Sequence, residues 1–305
     1  MLKNRTTTIM LTLGILISMS VSNILTKFAY RDMSPITFIY CSLFVGIVTM
    51  LIYTFVIKKE RIPKELMTKK VWSLILQIAF FNFVLGTLGI YSLNYLNAST
   101  HSYLTNFIGF ITMGMSIFLL KEAPTLWQIV GAVIAFSGLR LFFPELPRDN
   151  QLIGVVMVLI SITGVAYTNN ITRKLAQITD NKISNNVIST LAITIGGSIA
   201  IIIYLFMDGF SPVIPTVTDF GIILFVGIVT RAIGLTVWNL ILRTLRSYEA
   251  SILGASTVIW TSILSVIFLG EKLVLNQIFG IVLMLAGLIL VQVRKGTLKK
   301  KVESV

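Results

Sequence analysis

The chain predicts an all-α integral membrane protein with ten transmembrane helices arranged as two inverted five-helix repeats. Three observations carry that prediction. Apolar residues fill 55% of 305 positions and charged residues only 12%, about half the charged share of a soluble globule. Ten apolar stretches are each long enough to cross ~30 Å of hydrocarbon, which takes ~20 helical residues. The third observation is an internal echo at an offset of 149. Glu122, Leu126, Gln128, Ile129, Gly131, Val133, Gly138 and Leu139 meet Glu271, Leu275, Gln277, Ile278, Gly280, Val282, Gly287 and Leu288. Eight identities in eighteen positions, half a chain apart, read as two copies of one unit, 1–146 and 147–305.

In order, the stretches are 7–29, 34–57, 71–93, 98–120, 125–143, 151–172, 184–207, 218–242, 249–269 and 273–293. They are too long and too continuously apolar for barrel strands, so helices must satisfy the backbone in lipid. The breaks carry turn chemistry at Ser34-Pro35, Ala123-Pro124, Pro144 to Pro147 and Ser211 to Pro215. The first stretch has no small-residue cleavage site and is followed by many more, so it reads as a retained span. A second echo, at offset 147, pairs Asn23, Ile24, Lys27 and Ala29 with Asn170, Ile171, Lys174 and Ala176.

Basic residues set the orientation. With both termini cytoplasmic, 19 Lys and Arg fall inside and 5 outside, and Arg231 lies within a span. This predicts a multi-pass protein of the plasma membrane. The net charge of +13 sits at helix ends, so it marks topology, with anionic lipid heads as secondary partners and no nucleic acid. Five spans per unit is an odd number, so the second copy enters the membrane upside down. Two such halves can exchange conformations around a midplane site, which is the logic of alternating access.

One Cys (Cys41) excludes an internal disulfide and one His (His101) excludes a multi-histidine metal site. No cofactor is expected. Without a Gly-x-x-x-x-Gly-Lys-Ser/Thr loop, ATP does not act directly through this chain.

The sharpest candidate is Arg231, midway along the eighth span in Gly227-Ile-Val-Thr-Arg-Ala-Ile-Gly234. A cation there costs ~2.5–3.5 kcal/mol on insertion scales, so it needs a wet cavity or a partner. It either anchors a carboxylate or phosphate of the cargo or pairs structurally within the bundle. Lys27 lies on the outer side, where the charge rule gives no reason for it, so it is a candidate for a cavity mouth or gate. Asn23, one turn earlier, either meets cargo or bonds a neighbouring helix. The third span of each half is interrupted by glycines, Gly86 and Gly89 against Gly227 and Gly234, marking either a broken helix at a site or close packing. Tyr91, Trp238 and Asn239 follow on those helices, as stacking surfaces or as space filling.

His101 and Asn106 are polar in the fourth span, and Trp260 lies deep in the ninth. His101 is either a proton-coupling group or a hydrogen-bonded structural one. No acid sits mid-span; Glu249, opening the ninth span, is nearest. Tyr167, Asn169 and Asn170 repeat the polar end of the first span and are candidates for the cavity wall. Glu122 and Glu271 end equivalent spans and read as caps or local salt bridges, while Trp72 and Trp127 read as interfacial anchors.

Several of these residues carry a family likeness: Leu269-Gly270-Glu271-Lys272, a Gln and two glycines identically spaced after each Glu, Asn23-x-x-x-Lys27, and Trp238-Asn239. Over nearly its whole length the chain resembles the EamA-type drug/metabolite transporters. The resemblance implies movement of small metabolites through a central cavity, with export preferred. Family members often carry a proline midway along the fourth and ninth spans, where this chain has Phe107 to Phe110 and Val258 to Thr261. Its first acidic motif, Leu120-Lys121-Glu122, lacks the glycine.

The expectation is therefore a secondary transporter of small polar organic solutes, anionic or zwitterionic ones such as amino acids being favoured by the single deep cation. The alternative is a polytopic membrane enzyme acting on a lipid or isoprenoid phosphate, which needs clustered acids or histidines that 12 scattered acidic residues do not supply. A scaffold has no need of the repeat, and a channel wants symmetric rings. Monomer and homodimer both stay open.

Overall fold

The computed structural model describes residues 5–119, 125–143, 149–210, 214–244 and 254–291. Glu122, Glu249 and the basic residues from 294 onward lie outside the described residues. Within them the secondary structure is helical throughout. Seven helices are long and apolar enough to cross a membrane by length and composition, and three shorter apolar ones accompany them.

The rods are α1 (Arg5–Asp32), α2 (Pro35–Ile57), α3 (Lys69–Asn94), α4 (Ala98–Leu119), α5 (Leu126–Phe142), α6 (Asp149–Ile178), α7 (Asn185–Met207), α8 (217–244), α9 (Thr257–Leu269, led in by a turn Gly254–Ser256) and α10 (Leu275–Val291). They alternate in direction. The face where α1 begins is called the near face, and the other the far face. Starts are set by local chemistry. Pro35 opens α2, where its missing N–H costs nothing. Thr216 caps α8 reciprocally with Asp219.

Helices α2 and α7 pack side by side at the centre, and α5 packs on α10. The second seam is built from glycine. A methyl on Gly287 would lie 2.3 Å from the Gly131 carbonyl, and one on Gly280 would lie 2.8 Å from the Gly138 carbonyl. Residue 131 therefore meets 287 and 138 meets 280, so α5 and α10 cross antiparallel, backbone to backbone. The central seams follow the same plan. A methyl on Gly46 of α2 would meet Arg231 Cβ of α8 at 2.7 Å, and one on Gly196 of α7 would meet the Ala79 carbonyl of α3 at 2.0 Å.

Hydrophobic clusters fill the joins. One links α2, α3, α6 and α7 around Leu43, Ile75, Leu175 and Ile193. Another links α4, α5, α6 and α10 around Tyr103, Phe142, Ile162 and Met284, with the Tyr103 and Phe142 rings stacked at 3.9 Å. Large apolar side chains such as Phe118, Phe206 and Val217 cover the outside, as a bundle solvated by lipid requires.

Candidate functional site

Four rods carry π-wound stretches, α2 over Ile52–Ile57 and α9 over Ser265–Leu269 among them, and the two in the third span of each half adjoin or contain the glycines. α3 is π-wound over Phe80–Leu85, and α8 over Val226–Gly234. Wider winding leaves carbonyls that need outside donors, and the Ser161 hydroxyl of α6 donates to Gly86 O at 3.0 Å. α4 also breaks, between Thr105 and Ile108, without proline. There the Asn106 amide donates to Ser102 O at 2.6 Å, competing with the helix ladder.

The irregular stretches of α3, α4 and α8 meet around a cavity of about 250 Å³. Asn82 and Phe83 come from α3, Thr105 and Asn106 from α4, and Thr230, Arg231, Trp238 and Asn239 from α8. Leu16 and Met19 of α1, Thr168 and Asn169 of α6, and Thr257 of α9 complete the main contacts. Among the described residues, no Asp or Glu lines it. It occupies the half of the bundle toward the near face.

Its polar groups largely bond one another. Trp238 Nε1 donates to Asn169 Oδ1 at 3.0 Å, Asn239 Nδ2 to Ser189 Oγ at 2.7 Å, and Thr257 to Asn106 Oδ1 at 3.4 Å. Ser22 and Thr230 share a hydrogen bond across α1 and α8. Arg231 is the exception: its Nε and Nη2 are buried with no hydrogen-bond partner among the described residues. The phenols of Tyr30 and Tyr204 lie in its neighbourhood. Tyr30 donates to Ile90 O at 3.0 Å and Tyr204 to Thr87 Oγ1 at 3.1 Å.

Above the cavity, the far half is tied shut between rods. Lys27 Nζ donates to Leu93 O at 2.6 Å, at the carbonyl end of α3. Glu271 accepts from Ala98 N at 2.7 Å, Ser99 N at 3.2 Å and Ser99 Oγ at 2.5 Å, at the amide end of α4. A cation on helix carbonyls and an anion on helix amides each suit the local dipole. Together they grip the α3–α4 turn from α1 and from the loop after α9. Asp208 adds a tie, accepting from Thr37 at 3.1 Å and Tyr40 at 3.2 Å. On the near face, Glu60 holds Ser184 and Asn186 in the mirrored arrangement.

Of the sequence candidates, Arg231, Asn106, Asn169, Trp238 and Asn239 line the cavity. The others do not. Lys27 caps α3, and Asn23 is half-buried one turn earlier. His101 shares a hydrogen bond with Ser92 at 3.0 Å in the far-half layer. Tyr91 packs edge-on to Tyr95. Tyr167 donates to Gln77 Oε1 at 2.5 Å. Asn170 is buried, its amide on Thr112 O and Ala166 O. Trp260 is 37% exposed and stands outside the lining. Sequence reading did not single out Asn82 or the ring of threonines. Asn82 had a signal, being the one amide in the otherwise apolar run Ala79 to Leu85.

Comparison with known families is decisive: residues 6–144 and 152–293 each match the EamA-like transporter family. The chain belongs to that family. This EamA-like chain is therefore a multi-pass membrane transporter of the drug/metabolite superfamily. A solved crystal structure of another protein superposes on 95% of this chain and 98% of that one, with a TM-score of 0.71 at 11% identity. That likeness concerns the fold alone. A search of curated proteins gave no match.

Proposed function

We propose that the protein is a secondary transporter that moves small polar organic solutes, anionic ones first, by alternating access between two inverted five-helix repeats in the plasma membrane. The antiparallel α5–α10 crossing supports inversion: these rods hold equivalent places in the two repeats, yet run in opposite directions. The α2–α8 and α7–α3 seams, at Gly46 and Gly196, support the same exchange.

The observation that carries the cargo assignment is Arg231, a cation on the cavity wall with two buried, unpartnered nitrogens. Leaving such a charge uncompensated costs several kcal/mol, and an anionic solute removes that cost. In this conformation the cavity lies toward the near face, and Lys27, Glu271 and Asp208 close the far one. With the near face cytoplasmic, as the basic residues predict, this is the state that loads from inside. Export then proceeds by releasing the Lys27 and Glu271 ties and forming their counterparts on the near face, where the Glu60 tie is already made.

The test is uptake into proteoliposomes without ATP. Exchange of a labelled organic anion, lost in Arg231→Ala at unchanged expression, is expected. Chemical conversion of a lipid phosphate with no solute movement would favour the enzyme alternative.

A further inference from the structure

We infer that the cavity takes a small monocarboxylate whose other groups are uncharged, anchored by Arg231, and that it rejects solutes bearing an ammonium group. This rests on the transporter reading above and narrows its cargo. Nε and Nη2 are the two donors along one side of the guanidinium plane. They point in parallel, the arrangement that a carboxylate accepts with both oxygens. Those are the two nitrogens that lack partners. The edge is enclosed in this conformation, so a carboxylate reaches it when the guanidinium turns toward the cavity that its residue already lines.

An amino acid would bring an ammonium as well, and the described wall offers it only neutral amide and hydroxyl oxygens. Among the described residues no carboxylate is in the lining. The Asn106 and Asn169 side-chain oxygens already accept from Thr257 and Trp238. An ammonium would also stand beside a like charge in a poorly screened site. A single cation matches a single negative charge. The rest of the wall mixes apolar side chains, Leu16, Met19, Phe83 and Leu235 among them, with uncharged asparagines and threonines, which suits an uncharged body. The volume of about 250 Å³ falls just below the usual range for drug-sized ligands, ~300–1,000 Å³, so the cargo is small.

Three probes share one ring and chain length: 3-phenylpropionate, phenylalanine and phenethylamine. Binding to the purified, reconstituted protein is measured by calorimetry, and exchange by counterflow. Phenylpropionate is expected to bind at least tenfold more tightly than phenylalanine, and phenethylamine not at all. Arg231→Gln should abolish phenylpropionate binding with the thermal midpoint retained. Arg231→Lys, which keeps the charge and loses the fork, should weaken it about tenfold. Equal or tighter binding of either amine, binding of none of the three, or undiminished phenylpropionate affinity in Arg231→Gln overturns the inference. ATP-free counterflow that prefers an amine would sink this inference and leave the transporter reading standing. Phenylpropionate binding without movement would do the reverse.

Discussion

Arg231 and Glu271 are opposite cases of a charge within a bundle. Glu271 has three hydrogen bonds from one helix start, whereas two nitrogens of Arg231 have none. Their neutral variants should therefore differ in sign. Removing a paired buried charge costs ~3–5 kcal/mol, because its partner is left stranded. Arg231→Ala strands nothing visible, so its thermal midpoint should match or exceed that of the parent protein while transport is lost; a fall of many degrees would show a structural partner. Glu271→Gln should weaken the far-face tie by ~1 kcal/mol, roughly fivefold in the open population. In a Cys41→Ser background, a cysteine at Thr105 should then react about fivefold faster with a membrane-impermeant reagent applied from the far side. Arg231 was legible in the sequence because a mid-span cation stands out against apolar neighbours. The partners of Lys27 and Glu271 were not, since they are backbone groups whose proximity depends on how rods pack.

At the scale of the element, the sequence revealed where helices run better than how they wind. All ten apolar stretches overlap helical rods, but α5, α9 and α10 are too short in their apolar helical portions to rank with the seven long ones. Glycines in the third span of each half adjoin or fall within π-wound stretches, but α2 winds the same way with no glycine in or beside the stretch, so glycine alone is not the cause. The break in α4 escaped notice because proline was the expected signal and an asparagine does the work instead. The glycine seam gives a clean comparison. Gly287→Ala places a methyl against backbone at 2.3 Å, whereas Gly114→Ala meets nothing within 4 Å. Overpacking costs ~1–3 kcal/mol, so the first variant should lower the thermal midpoint by several degrees. The second should leave it unchanged or slightly raised.

For the whole molecule, the repeat echo and the skew of basic residues predicted more than either half could alone. They led to a two-unit transporter family that the matches at 6–144 and 152–293 bear out. Orientation remains a proposal with a simple check. Single cysteines at Glu65 and Asn97 in the Cys41→Ser background should label from the cytoplasm and from outside, respectively; the reverse pattern would invert the direction assigned to export. The nine-residue π stretch of α8, Val226–Gly234, bears on the same question of movement. Each residue of an α-helix advances the rod by ~100° of rotation, and a wide turn holds one residue beyond the regular count. Tightening it would swing everything downstream by roughly that angle, a little over a quarter turn, carrying Trp238 and Asn239 off the wall. The segment bearing the guanidinium would then serve as a swivel between the two ends of α8, with the helix intact on either side of it.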